Sequence, residues 1–102
     1  MVDVSDKLDT NLVHGSCAYV KYGKIVVVYI SITPQVTCDN KIVLPIGTLP
    51  IPFQYMYHSV NGWGVNVANS LFAVNTEGSM SLWCIEENLN RMIFDSFVYM
   101  ML

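Results

Sequence analysis

The chain has 102 residues, 53% of them hydrophobic and only 13% charged, and carries a net charge of −3. That length supports one domain with a real core but not two. The negative balance, with basic residues scattered at Lys7, Lys21, Lys24, Lys41 and Arg91, argues against nucleic-acid binding, which needs a basic patch. Because the charged share falls well below the usual 25% or so, the surface must rely on hydroxyls and amides or be partly buried against other copies; we expect both.

Residues 1–14, MVDVSDKLDTNLVH, differ in composition from the rest. Val4, Leu8 and Leu12 fall four residues apart, a helix-like stripe too short to be stable alone. The segment is expected to be a linker or short helical entry that associates with copies of itself, as the tail end of a longer protein would. It starts acidic and has no apolar signal-peptide core, so export would follow another route, such as release of an assembled particle by lysis.

From Gly15 onward, through residue 102, the pattern is that of a single β domain. GSCAYVKYGKIVVVYISITP holds two strand-like runs joined by a tight turn at Tyr22-Gly23-Lys24. In the second run Val26, Val28, Ile30 and Ile32 face one way and Ile25, Val27, Tyr29 and Ser31 the other. Both faces start apolar, which predicts cover on both sides, by a second sheet and by something else. Pro34 ends the run, Asp39-Asn40 reads as a turn, and KIVLPI reads as a short strand.

The next stretch, IGTLPIPFQY, cannot be helical, because Pro50 and Pro52 remove donors and push Leu49 and Ile51 toward extended geometry. It is expected to cross between two sheets, with Ile51 and Phe53 at a sheet end or against a neighbouring subunit. QYMYHSV then reads as a strand with Gln54, Met56, His58 and Val60 opposite Tyr55, Tyr57 and Ser59. Asn61-Gly62 is a turn signal, and WGVNVANSLFAVN reads as two short runs. A hairpin turn at Thr76-Glu77-Gly78-Ser79 leads into MSLWCI, EENLN reads as a polar loop, and RMIFDSFVYMML closes the chain as a long strand. The sum is an all-β fold, an antiparallel sandwich or jelly roll of about eight short strands behind a short N-terminal linker or helical segment.

No Asp, Glu, Lys or Arg occurs from Ile42 to Thr76, yet prolines, glycines and asparagines break every window well short of the roughly 20 apolar residues a membrane helix needs. Cys17, Cys38 and Cys84 form neither a disulfide framework nor a zinc pattern and are expected to be reduced, apolar and near the core. His14 and His58 have no carboxylate nearby in sequence and no second ligand at metal spacing. Glu86 and Glu87 are adjacent and most simply solvated. No catalytic residue, metal or cofactor is therefore expected.

The aromatic residues carry a stronger signal. Trp63 sits in the turn NGWG, just after Tyr55 and Tyr57 on one strand face, with the amides of Asn61 and Asn66 nearby. Flat rings beside planar amides suit a pyranose, by stacking on its apolar side and hydrogen bonding to its hydroxyls. Packing of Trp63 in the chain's own core or on a neighbouring subunit remains open, and Trp83 reads as core or interface.

Four stretches, VKYGKIVVVYISIT, IGTLPIP, LFAVNTEGSMSLW and the terminal FDSFVYM, together resemble a C-terminal β module of phage tail, baseplate and prophage minor structural proteins. The resemblance rests on Tyr19, Gly23, Val26 and Val28 in the first hairpin, and on Gly47, Leu49 and Pro50 in the loop. It also rests on Gly78, Met80 and Leu82 at the later turn and on Tyr99 in the last strand. It implies a non-enzymatic, homotrimeric sandwich head on a virion tail, binding host-surface saccharide beside other tail or baseplate proteins. A trimer axis would bury Ile25, Val27 and Tyr29, and the stripe at Val4, Leu8 and Leu12 could start a three-stranded stalk. A structural baseplate connector without a ligand is the alternative, and a carbohydrate-processing enzyme is weaker still.

Overall fold

The computed structural model describes residues 1–59 and 70–102. Within these described residues eight strands follow in chain order: β1 (Val2–Asp3), β2 (Val13–Tyr22), β3 (Ile25–Pro34), β4 (Cys38–Leu44), β5 (Met56–Ser59), β6 (Leu71–Val74), β7 (Met80–Cys84) and β8 (Ile93–Met100). They form two four-stranded antiparallel sheets, a first sheet in the order β1-β2-β3-β8 and a second in the order β4-β7-β6-β5. The all-β sandwich expected from the sequence is the architecture observed.

Alternation builds the core. On β3, Val26, Val28, Ile30 and Ile32 are buried, and the register places Val28 opposite Phe97 and Ile32 opposite Ile93 on β8. From the second sheet Val43, Leu44, Phe72, Val74, Met80 and Leu82 meet them. Phe72 reaches across to Phe97, with ring centroids 6.3 Å apart. The long β2–β3 hairpin closes at Gly23, whose φ of +62° suits a residue without a Cβ. Gly15 within β2 has φ +141°, and a Cβ there would strike the carbonyl oxygen of Ser31, so close backbone approach demands glycine.

The N-terminal expectation requires correction. Residues 1–14 neither stand apart from the sandwich nor form a helical stalk: β1 pairs with β2, a short 3-10 turn covers Ser5–Lys7, and β2 already begins at Val13. Val4 and Leu8 are buried in the chain's own core, and Leu12 packs partly against it. The spacing of four arises because Val4 and Leu8 bracket the 3-10 turn, which brings both back to the same side. Backbone bonds from Val4 N–H to the Cys17 carbonyl (2.9 Å) and from Asp9 N–H to the Val43 carbonyl (3.0 Å) tie the segment to both sheets. It closes one edge of the sandwich, and its Val4 and Leu8 side chains are spent on the chain's own core.

Two smaller readings also change. Asp39 and Asn40 lie inside β4, where the register against β7 shifts and Asn40 takes φ +57°, so this is a bulge within a strand rather than a turn. EENLN, read as a polar loop, holds a 3-10 turn over Glu86–Asn88: Glu86 and Glu87 are exposed, whereas Asn88 is fully buried, its Oδ1 accepting the Ile85 N–H at 2.9 Å.

The proline stretch does not pass from one sheet to the other as expected: it joins β4 to β5, the two edge strands of the second sheet, and meets the first sheet only along the end of β8. Gly47 N–H donates to the Glu77 carbonyl and Leu49 N–H to that of Gly78, which fastens the stretch to the β6–β7 turn, and Leu49 is buried. Pro50 offers its carbonyl to the Tyr99 hydroxyl at 2.7 Å. Phe53 N–H then donates to Met100 and Leu102 N–H to Ile51, so residues 51–53 run antiparallel to the end of β8. Proline is tolerated because this pairing uses the donors of Phe53 and Leu102 rather than that of Pro52. The side chains of Ile51 and Phe53 stay exposed at this sheet end.

Candidate functional site

The outer face of the second sheet is built from a strip of small residues flanked by rings. The register sets Tyr57 opposite Ala73 and Ala73 opposite Ser81. Phe72, Val74, Met80 and Leu82 turn inward, so Ala73, Ser81 and Trp83 turn outward. Although outward, Ala73 is 1% exposed and Ser81 7%, so the strip is covered.

Around the strip, Tyr55 and Tyr57 lie with centroids 4.8 Å apart at 47°, and Tyr57 and Trp83 with centroids 6.1 Å apart at 45°. Both distances fall in the range of favourable tilted aromatic pairs. Partial burial, then the hydrogen bond with Tyr57, raises the Tyr55 phenol above its ordinary value, while Ser81 works against the shift. At neutral pH Tyr55 is therefore a neutral hydroxyl able to donate or accept. Tyr57 is 61% exposed and offers its ring to solvent.

Beside Trp83 a depression of about 620 Å³ opens between β4 and the turn after β7, lined by Thr37, Asp39, Lys41 and Glu86 as well as Trp83. Planar carboxylates, an ammonium and a hydroxyl there can bond to a hydroxylated ligand lying against the ring. A hollow of about 550 Å³ on the outer face of the first sheet lies between Tyr29 and Phe94, with Ser16, Ser31 and Ser96 in its lining.

Of the residues expected to bind ligand, Tyr55 and Tyr57 are brought together, whereas Asn61, Trp63 and Asn66 lie outside the described residues. Of those expected at an interface, Ile25 and Tyr29 are exposed and Val27 half-buried on the outer face of the first sheet. Trp83, read from sequence as core or interface, is half-buried and joins the two tyrosines. The alternation of MSLWC, with Met80, Leu82 and Cys84 inward, would have turned it outward.

His58 gains a carboxylate partner that sequence proximity did not suggest. Its Nε2 lies 2.8 Å from Asp95 Oδ2, and its ring stacks on Phe97 at 5.2 Å. His58 sits on the inward side of β5 and Asp95 on that of β8, so the pair ties the two sheets at the edge opposite the N-terminal segment. Two half-buried polar residues on inward faces were the available signal. Among the described residues no group of three or more His, Cys, Asp or Glu side chains could hold a metal ion, and no helix is long and apolar enough to cross a membrane.

The fold and this face define an antiparallel β-sandwich with an exposed aromatic platform. No protein-family model matches the chain, and no significant match was found to a curated protein or a solved structure.

Proposed function

We propose that the chain is a non-enzymatic attachment module that binds saccharide on the outer face of its second sheet. The observation that carries this reading is the run of rings Tyr55–Tyr57–Trp83 beside polar side chains. Adjacent tilted rings give a pyranose a broad apolar platform, and Asp39, Lys41 and Glu86 supply hydroxyl partners at its border. The resemblance of the hairpin and loop motifs to phage tail and baseplate modules supports the host-cell surface as the source of the sugar. It also supports a trimeric head on a virion tail as the setting.

The test is binding of the purified chain to a glycan array spanning bacterial cell-wall and capsular oligosaccharides, followed by titration of the best hit. Tyr57→Ala is expected to weaken that binding about tenfold, the equivalent of roughly 1.4 kcal/mol, with the circular dichroism spectrum unchanged. Binding unaffected by both Tyr57→Ala and Trp83→Ala would overturn this assignment.

A second reading, a tail or baseplate connector without a ligand, is favoured by one separate observation. The outward side chains of β3 and β8 are uncharged, and Ile25, Tyr29, Phe94, Val98 and Met100 are all exposed. Continuous apolar faces of this kind commonly mark contacts with other proteins. An intact fold that binds neither glycans nor host cells, yet forms a stable trimer by light scattering, would favour the connector.

A further inference from the structure

Cys38 and Cys84 stand directly opposite each other on β4 and β7. Facing residues of an antiparallel pair have Cα atoms about 4.5–5.5 Å apart, inside the range of about 4.4–6.8 Å that a disulfide spans. Both thiols donate to one acceptor, the Val36 carbonyl oxygen, each at 3.5 Å, so both sulfurs converge on one point. Each residue is only 4% exposed, yet both line the depression beside Trp83, which gives a small oxidant a route to them. The third cysteine, Cys17, is buried on β2 in the first sheet, away from this pair.

We infer that Cys38 and Cys84 form a disulfide-forming site that a small disulfide oxidant, such as oxidised glutathione, converts from two thiols to one cross-strand bond. One thiol, deprotonated, attacks the oxidant's S–S bond, giving a mixed disulfide and one glutathione thiolate. The second thiol then displaces the other glutathione. Two S–H bonds and the oxidant's S–S bond are lost, one protein S–S bond forms, and the two electrons and two protons end on two molecules of glutathione.

Burial, followed by the neighbouring Cys84, pushes the Cys38 thiol up to about 12, while Lys41 pulls the other way. Thiolate is therefore scarce at neutral pH and closure is slow, as suits a structural staple rather than a catalytic redox pair. The bond would pin β4 at the edge of the second sheet, where its pairing with β7 is interrupted by two register shifts. It would also stiffen the side of the depression next to Trp83.

The experiment incubates the full chain with oxidised glutathione for hours to days, then titrates thiols after denaturation and maps the peptides by mass spectrometry. The reduced chain has three cysteines, so the expected result is a fall from three thiols to one, with Cys17 left free and a peptide joining Cys38 to Cys84. Tm should rise by roughly 10 °C and return on adding dithiothreitol. Cys38→Ser should leave two titratable thiols and abolish the shift. Three thiols surviving, a stable glutathione adduct without closure, or loss of Cys17 instead would each overturn the proposal. If Cys38→Ser fails to fold, the peptide map of the unaltered chain still decides it.

Discussion

The two outer faces of the sandwich solve the same problem in opposite ways. On the first sheet, Phe94, Val98 and Met100 stand 70%, 57% and 55% exposed beside Ile25 and Tyr29, with Ala18 and Val20 of β2 alongside. On the second, the outward positions Ala73 and Ser81 are covered, and the exposed area belongs to flanking side chains, the rings of Tyr55 and Tyr57 on one side and Ile42, opposite Ser81 on β4, on the other. A chain with so few charges thus has one broad apolar face left bare and one shaped face whose floor is closed. The difference teaches that outward alternation does not make a position tolerant. Exposure does, and it divides the two faces.

The largest effect is expected from filling the floor of the second face. Ala73→Leu adds volume where no space remains and should cost about 1–3 kcal/mol in urea denaturation, the usual penalty of overpacking. Val98→Leu, also outward but exposed, should stay within about 0.5 kcal/mol. If the two substitutions cost the same, the second face is as open as the first and the platform has no floor.

Next in size is removal of a ring. Tyr57 pairs with both Tyr55 and Trp83, so Tyr57→Ala loses two aromatic contacts and should cost about 1–2 kcal/mol. Tyr29 faces Ala18 on one neighbouring strand and Ser96 on the other, so Tyr29→Ala should cost less, about 0.5 kcal/mol for the isolated chain. Thermal melts at low protein concentration compare them without a contribution from self-association. Equal costs would mean that the rings of the second sheet act singly rather than as a unit.

Much of the fold was legible because period 2 is a strong signal in long strands. The two faces of β3 follow the alternation of Ile25 to Ile32 without exception, and the turns at Gly23 and Gly78 announce themselves. The N-terminal segment misled because hydrophobic spacing of four does not distinguish a helix from two residues flanking a 3-10 turn. Only the bonds from Val4 and Asp9 to the two sheets decide that. The site was legible in part. Tyr55 and Tyr57 are neighbours in sequence, whereas Trp83 joins them only through the β5-β6-β7 register. The His58–Asp95 pair depends on facing positions 37 residues apart on different sheets, which local spacing cannot reveal.

The smallest effect on folding tests the bare face. Phe94→Lys with Val98→Lys places two charges on the outward side of β8, which pairs with β3 along one side. Neither side chain is in the core, so each change should shift stability by about 0.5 kcal/mol or less. Lysines on an edge strand are well tolerated and oppose pairing with other chains. The consequence belongs to assembly: with a copy of this chain on that face, burial of unpaired ammonium groups is costly and the oligomer should dissociate. Light scattering across a dilution series should then show the unaltered chain as an oligomer and the double variant as a monomer, both with intact circular dichroism. An unchanged mass for the double variant would place the contact between copies elsewhere. A monomeric unaltered chain at micromolar concentration would remove the trimer and leave the apolar face to a different partner.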